Sequence, residues 1–420
     1  MVRRSFDAAR RHIRHAGGLT LRRLGLLVDG QPNGLGHDRA LLGGSLRGSV
    51  LVHFANPPRA LYQLRQWYRP LEELHRAHGV TVVTRDSRAA AAIRAESSLP
   101  VITIAYHSTL DDLLSRSHVQ LVLYVNFFSE NFEMLRFSSM QHAALWHGDS
   151  DKSVSVSNQV KAFDVNLVPG QAAIDRLAAH LPGFDAESRC VIVGRPQVVG
   201  ALAHARAPDD RIRVLYAPTW EGGHPSADYG SLESHGAGIV SSLLTSPRIA
   251  LTYRPHPFSG LRRASFGTAD ADLRALVKAA ASRDRTAGHR VSLGGSLGDD
   301  FASADLLITD ISSVATDWLA TGRPLLVTTP SSPSTVVAST RLLETVPRLP
   351  VSALVGLCEL VIREVEEDPS AAARASLAEY YLHSTDPAES MARFLAECSR
   401  LIALNTHLHP TSKKAHDGGH

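Results

Sequence analysis

The sequence predicts an α/β protein built from two doubly wound halves, and three observations carry that reading. Short β-branched and apolar runs alternate with helical stretches from residue 49 onward. Residues 201–211 break that alternation with a small, polar, proline-bearing segment, after which it restarts. The chain has 420 residues, whereas single hydrophobic cores stop growing near about 250 residues.

Residues 1–28 hold seven arginines against the single acid Asp7, while the whole chain carries a net charge of only +3. Val2, Phe6, Ala9 and Ile13 recur at near-helical spacing, with Arg3, Arg4, Arg10, Arg11 and Arg14 on other faces. This reads as a basic amphipathic arm over residues 1–48, suited to an anionic membrane surface or to plain solvation. Arg22 and Arg23 interrupt the apolar stretch that a secretory signal would need.

Strands are expected at 49–54, 80–84, 101–105, 119–125, 143–146, 165–168 and 190–193, and crossover helices at 61–78, 89–96 and 171–180. These make residues 49–200 a first Rossmann-like domain. Strands at 212–217, 249–253, 290–292, 305–309 and 324–327, then helical sequence over 351–404, make residues 211–404 a second. Residues 405–420, with His407, His409, His416 and His420 among Lys, Gly and Ser, read as a disordered tail.

Apolar runs such as 121–125 fall far short of the roughly 20 residues that span a bilayer. Cys190, Cys358 and Cys398 are scattered and give neither a disulfide framework nor a zinc site. A cytoplasmic location follows as the expectation. Basic residues concentrate in the arm, so no nucleic-acid surface is expected. There is no P-loop and no Gly-x-Gly-x-x-Gly, so nucleotide recognition must use other devices.

Four segments carry chemistry. The apolar run 143–146 stops at His147-Gly148-Asp149-Ser150-Asp151-Lys152. A histidine at the carboxyl end of a parallel strand faces the ligand crevice, where it could take a proton or merely cap the strand. Asp149 and Asp151 also fit an Asp-x-Asp metal clamp, or acids drawn to a helix start. Next, Arg254-Pro255-His256-Pro257 follows a strand and offers phosphate-binding donors, or a solvent-exposed turn. Asp310-Ile311-Ser312-Ser313, with Asp317 beyond, joins a strand to a helix start that could cradle phosphate or be simply capped. Tyr216-Ala217-Pro218-Thr219-Trp220 sets small and hydroxyl groups at the first strand end of the second half.

Taken in order, Trp146-His147-Gly148 with Lys152, Tyr216-Ala217-Pro218-Thr219-Trp220, Arg254-Pro255-His256-Pro257 and Ile308-Thr309-Asp310-Ile311-Ser312-Ser313-Val314 with Asp317 resemble the CDP-glycerol glycerophosphotransferase family of teichoic-acid primases and polymerases. The resemblance covers roughly residues 50–400. It implies a GT-B-type arrangement, with two Rossmann-like doubly wound domains facing a central cleft. The implied reaction moves glycerol phosphate, or a related polyol phosphate, from CDP-glycerol to a hydroxyl of a lipid-linked or polymeric cell-envelope acceptor, with release of CMP. It implies neither cofactor nor metal, and an enzyme peripheral on the inner face of the membrane.

Carried over by residue, the resemblance makes His147 the base that deprotonates the acceptor. His256 with Arg254 would stabilise the departing CMP phosphate, and Pro255, which stiffens the backbone before His256, belongs to the donor-binding set. Ser312 and Ser313 would bind the diphosphate, and Asp317 a hydroxyl of glycerol or ribose. Pro218 and Thr219 would line the cytidine side, while Gly148 and Asp149 bring backbone close to the donor. Two segments depart from the family. Asp149-Ser150-Asp151 stands where Thr-Pro-Leu is common, and Gly194-Arg195-Pro196-Gln197 where a Gly-Tyr-Pro-Arg type is common. Two other readings stay open: a GT-B glycosyltransferase using a nucleotide-sugar, and a descendant that binds nucleotide or polymer without turnover.

Overall fold

Strand runs that are apolar at every position, rather than alternating, belong in parallel sheets covered on both faces. In the computed structural model, which describes residues 36–152, 155–198 and 211–408, β1 (Val50–Phe54), β2 (Val80–Thr84), β11 (Leu306–Thr309) and β12 (Leu325–Thr328) are buried throughout. Residues 1–35 of the expected arm, most of the 201–211 break and residues 409–420 of the expected tail lie outside the described residues, while residues 405–408, expected in the tail, belong to the helix Pro387–Leu408.

The described chain forms two compact units. The first runs to Leu61 and adds Leu71–Leu123 and Phe128–Met140. It carries β1, β2, β3 (Val101–Thr103) and most of β4 (Leu121–Tyr124), with β3 and β4 at its two sides in the order β3-β2-β1-β4, all parallel. The second comprises Tyr62–Pro70, Tyr124–Phe127 and everything from Gln141 on. It carries β5 (Gln141–Ala144), β6 (Val165–Val168) and β7 (Cys190–Ile192) as parallel neighbours. It also carries a parallel six-stranded sheet, in the order β10-β9-β8-β11-β12-β13, of β8 (Ile212–Ala217), β9 (Ile249–Tyr253), β10 (Arg290–Val291), β11, β12 and β13 (Arg348–Leu349).

The C-terminal helices explain why β5–β7 group with the second sheet. Helix Pro387–Leu408 returns against β5, and its Phe394 packs on Trp67 with ring centroids 5.6 Å apart. On the preceding helix, Ala371–Leu382, Tyr380 donates to Asp175 and Tyr381 to Asp151, each at 2.7 Å.

In the six-stranded sheet the strand order reverses beside β8, which pairs with β9 on one side and β11 on the other. Ligands of open α/β sheets bind beyond the strand carboxyl ends at such a switch point. Register does the rest, because Ala217 faces Thr309 and Tyr216 faces Tyr253. The segments that follow β8, β9 and β11 therefore leave the sheet side by side. They are Pro218-Thr219-Trp220, Arg254-Pro255-His256 and Asp310-Ile311-Ser312.

Most expected strands appear within one or two residues of their place. The fifth ends earlier than expected, at Ala144, because Trp146 has a left-handed backbone with φ 53°. β13 has two residues and gave no run to read. Helix Ala264–Arg283 was also missed, since only Phe266, Asp270, Leu273 and Val277 of its twenty residues are buried. That leaves too thin an apolar stripe to register as a period.

Candidate active site

A pocket of ≈ 290 Å³ opens among the second unit's own residues, at the lower edge of the size of small-molecule sites. His147 and His256 both line it.

His147 owes its direction to the residue before it. A tryptophan in the left-handed region costs on the order of 1–3 kcal/mol and persists only when its surroundings over-determine it. Here Trp67 Nε1 donates to the Trp146 carbonyl at 3.2 Å, and the Trp146 ring stacks on Phe127 at 3.8 Å between centroids. The chain turns sharply off β5 as a result. His147 Nδ1 then lies 3.3 Å from the Val125 carbonyl. A carbonyl only accepts, so Nδ1 carries the proton and Nε2 keeps a free lone pair.

His256 has the opposite pattern. The Phe258 amide donates to its Nδ1 at 3.0 Å, which puts the ring proton on Nε2. Its loop is gripped by Glu221, whose carboxylate accepts from the amides of Gly260, Arg262 and Arg263. Tyr62 presents its ring edge-on to both histidines, 5.9 Å from His147 and 5.4 Å from His256, and Trp220 stacks on His256 at 6.2 Å.

Both imidazoles are neutral at physiological pH. Burial pushes His147 down to about 4, helped by Arg195 and Lys152 and opposed by the Val125 bond. Burial, then the charges of Lys152 and His147, push His256 down to about 3. Burial also brings Lys152 down to about 8, against the pull of Asp310.

Asp310, fully buried at the end of β11, organises the floor. Its carboxylate accepts from the Thr219 amide at 2.7 Å, the Ser231 amide at 3.2 Å and the Thr328 hydroxyl at 2.6 Å. It does not cap the following helix, Ser313–Trp318. That helix meets the His147 loop closely, because a Cβ on Gly148 would stand 2.5 Å from Ser313 Oγ and 2.6 Å from its Cβ. Thr316 seals the contact by donating to the Asp149 carbonyl at 2.6 Å.

Residues 200–332 match the model of the family described as CDP-glycerol:poly(glycerophosphate) glycerophosphotransferase, a span that includes the segments after β8, β9 and β11. The chain is a CDP-glycerol glycerophosphotransferase-like enzyme. No curated protein matches it. Among solved structures, the wall teichoic acid polymerase TagF soaked with CDPG aligns over 95% of this chain and 98% of its own, at 12% identity and TM-score 0.54. A Listeria monocytogenes protein described as a UDP-N-acetylglucosamine 2-epimerase aligns over 86% and 97%, at 15% identity and TM-score 0.52. A Rickettsia africae glycosyltransferase aligns over 87% and 100%, at 10% identity and TM-score 0.50. At such identities these neighbours bear on the fold alone, and they agree with the GT-B class of parallel α/β sheets.

Of the residues expected from the enzyme's sequence, His147, Gly148, Asp149, Pro218, Thr219, His256, Ser312 and Ser313 line the pocket. Arg254, Pro255 and Asp317 do not. The Arg254 guanidinium is turned to Asp300 at 2.5 Å and to Ser292, Gly294 and Gly295, and Pro255 is buried behind His256. Asp317 is buried in an ion pair with Arg195 at 2.6 Å, and Arg195 also donates to the His147 carbonyl at 3.4 Å. The shifted arginine thus supports the histidine's backbone.

Asp149 and Asp151 both pair with Arg176, the latter at 3.1 Å, and Tyr381 donates to Asp151. One guanidinium therefore answers the two carboxylates that replace Thr-Pro-Leu. Among the described residues no group of His, Cys, Asp and Glu is arranged to hold an ion. Tyr62 and Arg176 had no place in the sequence-based site, and Trp220 was named there only as the end of its segment. Tyr62 and Arg176 sit inside ordinary helical sequence, with no motif to mark them.

Gly148→Ala should lower the thermal midpoint and abolish turnover, because the added methyl meets Ser313 within 2.6 Å. Adding Ser313→Gly to that variant should restore most of the midpoint; a midpoint that Gly148→Ala leaves unchanged would contradict the packing.

Proposed function

We propose that the enzyme transfers glycerol phosphate, or a related polyol phosphate, from CDP-glycerol to a hydroxyl of a membrane-linked cell-envelope acceptor, in the synthesis of a teichoic-acid-like polymer. The observation that carries the reading is the pair of neutral histidines held in opposite tautomers on one pocket. The family match over residues 200–332 supports the donor class, and the name of the TagF neighbour, a wall teichoic acid polymerase, agrees with the polymer.

The chemistry follows from the two rings. The acceptor hydroxyl gives its proton to His147 Nε2 as its oxygen attacks the β-phosphorus. A new P–O bond forms, and the bond from that phosphorus to the bridging oxygen breaks. CMP leaves with the electron pair, met by the Nε2–H of His256, which donates without first needing a second proton. Ser312 and Ser313 offer hydroxyls to the diphosphate, and Pro218 and Thr219 wall the cytidine side.

The purified enzyme, given a lipid-linked acceptor and a panel of CDP-glycerol, CDP-ribitol and UDP- and GDP-sugars, should release CMP. Release of UDP or GDP instead would replace this reading with glycosyl transfer. His147→Ala should cost about 10²- to 10⁴-fold in rate with the fold intact. Because burial holds His147 at about 4, kcat/KM should keep its plateau through pH 6. An acid limb centred near 6.5 would mean a solvated imidazole and would remove His147 as the buried base.

Residues 1–35 of the basic arm lie outside the described residues, and we assign the arm to the membrane on its charge and the spacing of its apolar residues. Deleting residues 1–28 should weaken binding to anionic liposomes while leaving turnover of a soluble acceptor intact. Unchanged liposome binding would reject the assignment.

A further inference from the structure

The cations around the pocket differ in one respect, which is whether a carboxylate already holds them. Arg176 is shared by Asp149 and Asp151, Arg195 is paired with Asp317, and Arg254 with Asp300. Lys152 lines the pocket, yet the partner the structure gives its Nζ is a neutral hydroxyl, Thr219 Oγ1, at 2.9 Å. The Tyr229 ring lies 5.6 Å below it.

An enclosed ammonium without a counter-charge is costly, because burial removes its water and a hydroxyl replaces only part of that loss. The charged and titratable groups that act on it are few. His147 and His256 are neutral, and both are driven lower by the lysine itself. Asp310 attracts it, but that carboxylate is occupied by the Thr219 and Ser231 amides and the Thr328 hydroxyl. At about 8, the lysine is still mainly charged at neutral pH.

The Ser312 and Ser313 hydroxyls and His256, with its Nε2–H, line the same pocket as Lys152. Every one of these groups can donate, and the positive charge among them lacks a carboxylate partner among the described residues. We propose that Lys152 supplies the positive charge that binds the diphosphate of the nucleotide donor, beside the Ser312 and Ser313 hydroxyls to which the sequence assigned that group. The inference rests on the phosphotransferase reading for the ligand class, and on the pocket geometry for the residue.

The test is calorimetric titration of the full-length protein with cytidine, CDP and UDP at pH 7. Wild type should bind CDP at least tenfold more tightly than cytidine. Lys152→Met keeps the side-chain stem and removes the charge. It should weaken CDP by about 30- to 100-fold, the range of a charge-assisted phosphate contact, while cytidine stays within twofold. The thermal midpoint should hold or rise, since a half-buried ammonium without a carboxylate partner is gone; if the methionine variant fails to fold, Lys152→Gln decides by the same comparison. CDP affinity unchanged by the substitution would overturn the proposal, as would wild type binding CDP no better than cytidine. If wild type binds UDP in place of CDP, and the variant loses UDP, Lys152 keeps its role while the cytidine donor fails.

Discussion

The Val125 carbonyl and the Phe258 amide govern what this pocket can do. One accepts from His147 Nδ1 and the other donates to His256 Nδ1. Two identical side chains, both neutral and both buried enough to resist protonation, thereby become unlike reagents. One offers a lone pair and the other a proton. Phosphoryl transfer from a diphosphate to a hydroxyl is served by such a pair, because the attacking oxygen sheds a proton while the leaving phosphate gathers charge.

Holding the rings this way has structural costs that are met nearby. Trp146 is kept in a left-handed turn by Trp67 and Phe127, and Trp67 is itself backed by Phe394 of the last helix. Gly148 lets the turn press onto Ser313, and Arg195 supports the His147 carbonyl from its pair with Asp317. On the other side Glu221 ties down the His256 loop, and Asp310 fixes the Thr219 backbone. These carboxylates serve as scaffold, and the pocket they support is lined by hydroxyls, two imidazoles and Lys152, with Asp149 held in its pair with Arg176.

Much of this was legible in the sequence. Runs that are mainly apolar or β-branched, without a regular polar alternation, marked β1, β2, β8, β9 and β11, since a strand covered on both faces has no polar face to betray its register. Strand ends followed by His147, His256 or Ser312 marked the pocket, because parallel topology collects those ends. Arg254 and Asp317 misled for a common reason. Residue type announces a charge but not its partner, and Asp300 and Arg195 lie 46 and 122 residues away respectively. Asp149 and Asp151 looked like unpaired charge on the same ground, until Arg176 came to them from the helix Gln171–His180. Tyr62 was invisible, being one aromatic residue in a helical stretch whose meeting with both histidines is entirely tertiary.

The most direct measurement is a nitrogen NMR spectrum of the enzyme with ¹⁵N-labelled histidine, assigned through His147→Gln and His256→Gln, across pH 5 to 8. The account predicts a proton on Nδ1 of His147 and on Nε2 of His256, with neither ring titrating in that range. The same tautomer in both, or a midpoint near 6.5 in either, would contradict it.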